Sequence, residues 1–149
     1  MLAARLRAEG HAVRGTTRDP ARAEAIDAAG AEAYVGDPDR VATLGPALAH
    51  VTVACLLLGS ASGRSDQLAA LHGPRLEMLL TRMLDTTVRG IVYESVGSVD
   101  DAVLQGGTRR VVKTCEGSRI PYTLLRADPS DHDVWLSAAF GAVCGLLGR

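Results

Sequence analysis

The stretch Val51-Thr52-Val53-Ala54-Cys55-Leu56-Leu57-Leu58-Gly59 decides how the rest of the chain is read. Residues 51–58 are apolar with hardly a break, and Gly59 ends the run. The run is far shorter than the roughly 17–25 residues a membrane-spanning helix needs. It has the length and composition of a strand buried on both faces of a parallel sheet. Downstream, Gly59-Ser60-Ala61-Ser62-Gly63 reads as a loop. Leu76, Leu79, Leu80, Met83 and Leu84 then recur at three-and-four spacing, which predicts a helix. Residues 90–96 predict a strand. Gly106-Gly107 is expected to break the next stretch, leaving a helix over 108–116. A strand over 122–126 follows Pro121, and Asp131 caps a last helix reaching residue 147.

Upstream the same alternation holds. Residues 2–9 are helical in composition and Gly10 stops them. A strand is predicted over 11–17. Asp19-Pro20 supplies an N-cap and a first-turn proline for a helix over 21–29, which Gly30 ends. Residues 31–36 form the next strand, and Asp37-Pro38 repeats the helix-start device. The helix that follows sets Val41, Leu44 and Leu48 on one face, bent or shortened at Gly45-Pro46. Five strands separated by helices call for right-handed crossovers. The expected fold is α/β, a doubly wound and mostly parallel sheet with helices on both faces.

The 149 residues fit one domain over 1–149. Hydrophobic residues at 47% and charged residues at 22% exclude a disordered or fibrous chain. A net charge of −1 and five aromatics (Tyr34, Tyr93, Tyr122, Trp135, Phe140) argue against a nucleic-acid partner. Cys55, Cys115 and Cys144 share no short spacing, so no disulfide scaffold or zinc ribbon is expected. Lys113 is the only lysine beside fifteen arginines, a bias of high-GC bacterial genes rather than of a charge-based function. The apolar run at 135–147 is too short to span a bilayer, and the N-terminus has no apolar leader core. A cytoplasmic protein without membrane contact is expected. The last helix is apolar nearly all round and rich in small residues. It is expected to be buried, either closing the sheet's far edge or pairing two copies as a homodimer.

Five ordered pieces carry a resemblance. They are residues 8–20 (Ala8-Glu9-Gly10-His11-Ala12-Val13-Arg14-Gly15-Thr16-Thr17-Arg18-Asp19-Pro20), Gly36-Asp37, the 51–59 strand, residues 89–95 (Arg89-Gly90-Ile91-Val92-Tyr93-Glu94-Ser95) and residues 120–126 (Ile120-Pro121-Tyr122-Thr123-Leu124-Leu125-Arg126). In this order they resemble an atypical short-chain dehydrogenase/reductase, of the epimerase-like group with an NAD(P)-binding Rossmann fold. That family also carries a first strand and a G-x-x-G-x-x-G turn before its first helix. The present chain begins inside that helix, so relative to the family it is N-terminally truncated. The absent strand would lie at the sheet centre, leaving two inner edges unpaired at about 1–3 kcal/mol per buried unsatisfied group. Two expectations follow. Either the start is an internal methionine, with the true one roughly 10–20 residues upstream, or the flanking strands close up and the cofactor site is degraded. The upstream DNA decides between them: the first idea fails if it encodes no in-frame apolar strand and glycine turn.

The resemblance implies which residues meet a cofactor. At the end of the second family strand an acidic residue reads the NAD ribose and a basic one favours the NADP phosphate. Here that position holds Arg18, a guanidinium suited to clamping a phosphate, with Thr17 beside it. NADP is therefore expected over NAD. Asp37 lies where the family approaches the adenine, and a helix-capping role is equally open. Leu58, Gly59 and Ser60 lie where the backbone nears the ribose and pyrophosphate; an ordinary strand-to-loop glycine is the plain alternative.

The family's chemistry uses a serine after the fifth strand and a Tyr-x-x-x-Lys pair, whose lysine lowers the tyrosine pKa. Ser95 occupies the serine position, although a serine that satisfies local backbone is the simpler reading. Pro38, Gly97 and Arg126 stand four residues after the three tyrosines, so the pair is missing. Glu94 could bind substrate, but strand alternation turns it away from Ser95. His11, His50, His72 and His132 pair with no ligand at metal spacing, and Asp128, Asp131, His132 and Asp133 read as a turn and helix cap. Three functions compete. They are an NAD(P)-dependent oxidoreductase or epimerase, a non-catalytic module sensing NADP(H), and a structural module that binds no nucleotide.

Overall fold

The computed structural model of the chain describes residues 1–148. Five parallel strands and seven α-helices alternate along it, with short 3₁₀ turns at Pro20–Arg22 and Val41–Leu44. The helices are α1 (Leu2–Ala8), α2 (Ala23–Ala28), α3 (Gly45–Leu48), α4 (Ser65–Leu71), α5 (Pro74–Leu84), α6 (Asp101–Gly117) and α7 (His132–Leu147). The strands are β1 (Arg14–Thr17), β2 (Glu32–Val35), β3 (Val53–Leu56), β4 (Gly90–Glu94) and β5 (Tyr122–Leu125). The expected α/β architecture is present, with helices on both sides of parallel strands.

Strand alternation divides the core in two. Ala54, Leu56, Ile91 and Tyr93 face Leu76, Leu79, Leu80 and Met83 of α5 and Val111 and Cys115 of α6. Val53, Cys55, Val92 and Leu125 face α7, where Ala139, Val143 and Leu146 are buried together with Leu6 of α1. β4 sits between β3 and β5 and all of its residues are buried. This explains why 90–94 is apolar but for its last residue. Burial pushes the thiols of Cys55 and Cys115 up to about 11, so both are inert neutral groups.

The sheet is not continuous. β1 pairs only with β2, and β3–β4–β5 form a separate sheet. The expectation that β1 and β3 close up against each other is therefore not what the chain adopts. No residue of β1 is buried, whereas Ala54 and Leu56 of β3 are. Arg14 ties the two parts together. Its guanidinium donates to the carbonyls of Ala47, at 3.2 Å, and Ala49, bonds to Glu32 at 3.4 Å, and lies over the Tyr34 ring.

Several boundaries depart from expectation. α6 runs unbroken through Gly106-Gly107 instead of starting at residue 108. A Cβ on Gly107 would lie 2.0 Å from the Tyr93 hydroxyl, so this glycine serves close packing and not chain reversal. Asp37 does not cap a helix: its carboxylate accepts from the Asp39 amide in a turn, and the next helical turn starts after Arg40. α4 has no counterpart among the predicted elements. α7 is buried along one face only, with Gly141 and Gly145 open to solvent, because its other side has no layer above it. It covers the face of β3, β4 and β5 and packs on α1, and so does not close the far edge. Among the described residues no helix is long and apolar enough to cross a membrane.

Candidate functional site

Parallel strands aim their C-terminal ends at one edge, and in open α/β sheets ligands gather there. β1 ends at Thr17, and the Thr17 hydroxyl both accepts from the Asp19 amide at 3.1 Å and donates to the Asp19 carbonyl at 3.2 Å. The Asp19 carboxylate in turn caps Ala21 at 3.0 Å. This tight turn holds Arg18 out from the strand end. Its side chain is 55% exposed and makes only a 3.7 Å contact with Asp39. Asp37, after β2, is beside it: the Thr17 carbonyl accepts from the Gly36 amide, and the Asp37 amide donates to Thr43 at 2.7 Å. Thr17, Arg18 and Asp37 thus come together at the ends of two adjacent strands.

Leu58, Gly59 and Ser60 follow β3 and are engaged with the protein itself. The Leu58 carbonyl accepts from His72 at 3.0 Å. The Gly59 amide donates to Glu94 Oε1 at 2.9 Å, and the Gly59 carbonyl accepts from the Val99 amide at 3.0 Å. A Cβ on Gly59 would meet the Val96 carbonyl at 2.6 Å, and one on Gly97 would meet the Gly59 carbonyl at 2.1 Å. Both glycines are therefore required where the loops after β3 and β4 cross. Ser60 accepts from the Ser98 amide at 3.3 Å across the same crossing.

Two buried polar links fix these loops, and sequence spacing does not reveal either. Glu94 is 4% exposed. Its second oxygen accepts from the Trp135 indole at 2.7 Å, so one carboxylate joins the loop after β3 to α7. His72, 1% exposed at the end of α4, meets the fully buried Tyr93 hydroxyl at 2.6 Å. The Leu58 carbonyl can only accept, so Nε2 carries the ring hydrogen and Nδ1 accepts from Tyr93. Burial pushes Tyr93 up to about 12 and lowers His72, the Leu58 carbonyl opposing part of that fall. The available signal was a lone glutamate in an otherwise apolar strand and a histidine following the apolar Leu68-Ala69-Ala70-Leu71 end of α4, each of which demands a partner when buried.

The histidine has a measurable consequence. A folded-state pKa below the unfolded value makes the unfolded chain bind the proton more readily. Stability from His72 is complete above the unfolded value near 6.5 and falls as pH drops below it. Urea unfolding between pH 7.5 and pH 5 should show this loss, and His72→Gln should flatten that part of the profile. An unchanged slope would contradict the buried neutral ring.

Ser95 donates its hydroxyl to the Leu125 carbonyl at 3.2 Å, the local backbone role weighed above. It faces α6, while Glu94 faces α7, as strand alternation requires. None of the tyrosines is beside Lys113 in a hydrogen bond: Tyr34 and Tyr122 bond to Glu32 and Glu116, and Tyr93 to His72. Asp128 accepts from the Ser130 amide, which holds its carboxyl below the usual range, and Asp131 caps Val134. Among the described residues no cluster suits a metal ion.

No curated protein matches the chain in sequence. Among solved structures it is similar to a Citrobacter sp. triphenylmethane reductase complexed with NADP(H). That match has 19% identity and a TM-score of 0.62, over 84% of this chain and 44% of that one. It is also similar to an NADPH-dependent quinone oxidoreductase from Escherichia coli, at 21% identity and TM-score 0.55, over 85% of this chain and 42% of that one. The chain thus spans less than half the length of these proteins, and at such identities the likeness establishes the Rossmann-like fold. A sequence model described as NAD(P)H-binding matches residues 1–128, most of the chain, and on that match the chain belongs to the NAD(P)H-binding family.

Proposed function

We propose that the chain binds NADP(H) in preference to NAD(H), as the dinucleotide-binding domain of an oxidoreductase of the atypical short-chain dehydrogenase/reductase type. The observation that carries this reading is Arg18. Its fork stands exposed at the end of β1, restrained only by a long contact to Asp39, where a 2′-phosphate would displace a weak ion pair. The residues present fit the adenosine half of the cofactor. Arg18 would hold the phosphate, Thr17 would shape the turn that presents it, and Asp37 would lie beside the adenine. Leu58, Gly59 and Ser60 would border the ribose, with their backbone held in place by His72 and Glu94. A nicotinamide dinucleotide supplies hydride transfer when bound; what this chain adds is recognition and placement.

A second reading, a redox-sensing module without catalysis, draws on the engagement of all three tyrosines with partners other than Lys113. Dinucleotide affinity is common to both readings. Arg18→Ala should weaken NADPH by roughly 10-fold to 100-fold, the loss of a charge-assisted hydrogen-bond pair, and leave NADH nearly unchanged. Equal losses for both, in a calorimetric titration, would contradict the phosphate role.

A further inference from the structure

A cleft of about 340 Å³ opens at the C-terminal ends of β4 and β5, lined by Ser95, Val96, Gln105, Thr108, Arg109 and Arg126. Two of the six are arginines on different elements, Arg109 from α6 and Arg126 just past β5. Neither forms an ion pair among the described residues, whereas the neighbouring Arg110 is matched to Glu77 at 3.0 Å. The hydroxyls in the cleft have spent their hydrogens on backbone, Ser95 on the Leu125 carbonyl and Thr108 on the Leu104 carbonyl at 2.9 Å. Gln105 gives one amide hydrogen to Asp101 at 2.7 Å and keeps another. The free donors are therefore chiefly guanidinium N–H groups, beside one apolar wall from Val96.

We propose that this cleft binds a small organic carboxylate, with Arg109 and Arg126 converging on its anionic oxygens and Val96 against its apolar body. Two planar forks with no ion-pair partner among the described residues match a carboxylate in geometry and sign. An apolar wall favours an organic body over a bare inorganic ion. The cleft stands on the face of β4 that carries Ser95, at the same strand-end edge as the dinucleotide residues. As a substrate pocket it rests on the dinucleotide reading, and as a binding site it is tested without it.

The probe is benzoate, titrated against the whole chain and followed through the backbone amides of Gln105 and Thr108. Benzoate should bind saturably and benzyl alcohol, its uncharged relative, should not. Arg109→Gln and Arg126→Gln should each weaken benzoate by roughly 10-fold or more, while Arg22→Gln, an equal charge change at a distant exposed arginine, should not. Unchanged thermal unfolding of the exposed-arginine variants separates lost binding from lost fold. Binding of inorganic phosphate with none of benzoate would overturn the carboxylate assignment, and equal loss in all three variants would overturn the site. NADPH is titrated separately. Benzoate binding without NADPH binding supports the cleft and contradicts the dinucleotide reading; NADPH binding without benzoate binding does the reverse.

Discussion

Glu94→Ala is expected to produce the largest loss of stability of any single polar substitution in the chain, about 2–4 kcal/mol. The carboxylate accepts from the Gly59 amide and the Trp135 indole, and its removal leaves both donors facing a small cavity. Each unsatisfied buried donor costs about 1–3 kcal/mol, and the relief of burying a charge offsets part of the total. For a chain of this size that is a fall of roughly 4–16 °C in midpoint temperature. Glu94→Gln tests the account more finely. The amide can accept from only one of the two donors and turns its own NH₂ toward the other, so an intermediate loss of about 1–2 kcal/mol is expected. Urea unfolding of the two variants measures both. Losses below 0.5 kcal/mol, the usual scale of ordinary surface changes, would show that the carboxylate does not join the loop to α7.

Gly107→Ala should destabilise by about 1–3 kcal/mol although alanine is the better helix former. The new methyl would stand 2.0 Å from the Tyr93 hydroxyl, itself held by His72, so the ring cannot retreat without breaking a buried hydrogen bond. The adjacent Gly106 gives the opposite result. Its Cβ would meet only flexible arginine ends, Arg110 at 3.1 Å and Arg109 at 3.8 Å, so Gly106→Ala should stabilise α6 by up to about 1 kcal/mol. Tyr93→Phe in the Gly107→Ala background removes the clashing oxygen and should recover part of the loss, a coupling that a double-mutant cycle reads directly. Equal behaviour of the two glycine variants would contradict the close approach of α6 to β4.

The same pair of glycines shows where sequence reading stops. Local composition is enough to place β3 inside 51–58, β4 inside 90–96 and the caps at Asp19 and Asp131, because capping and apolar runs are local properties. Whether Gly106-Gly107 ends a helix or makes room for a side chain depends on Tyr93, which reaches them only through the fold. The division of the strands into two sheets is also nonlocal, since it depends on which strands pair across the fold. That Thr17, Arg18 and Asp37 stand at strand ends is legible because those positions follow from the alternation of elements; a cofactor role for them is what the family resemblance implies. The partners of Leu58 and Gly59 were not: His72 is 14 residues from Leu58, and Glu94 is 35 from Gly59, separations that no motif spans.

In the proposed function a nicotinamide dinucleotide would sit across the C-terminal ends of β1, β2 and β3, with Arg18 on its 2′-phosphate. The most direct measurement is an NADPH titration followed residue by residue through backbone amide shifts. Saturable changes are expected to concentrate at Thr17, Arg18, Asp37, Leu58, Gly59 and Ser60, with NADH shifting the last four but leaving Thr17 and Arg18 nearly still. Absence of saturable shifts, or shifts centred away from these strand ends, would contradict it.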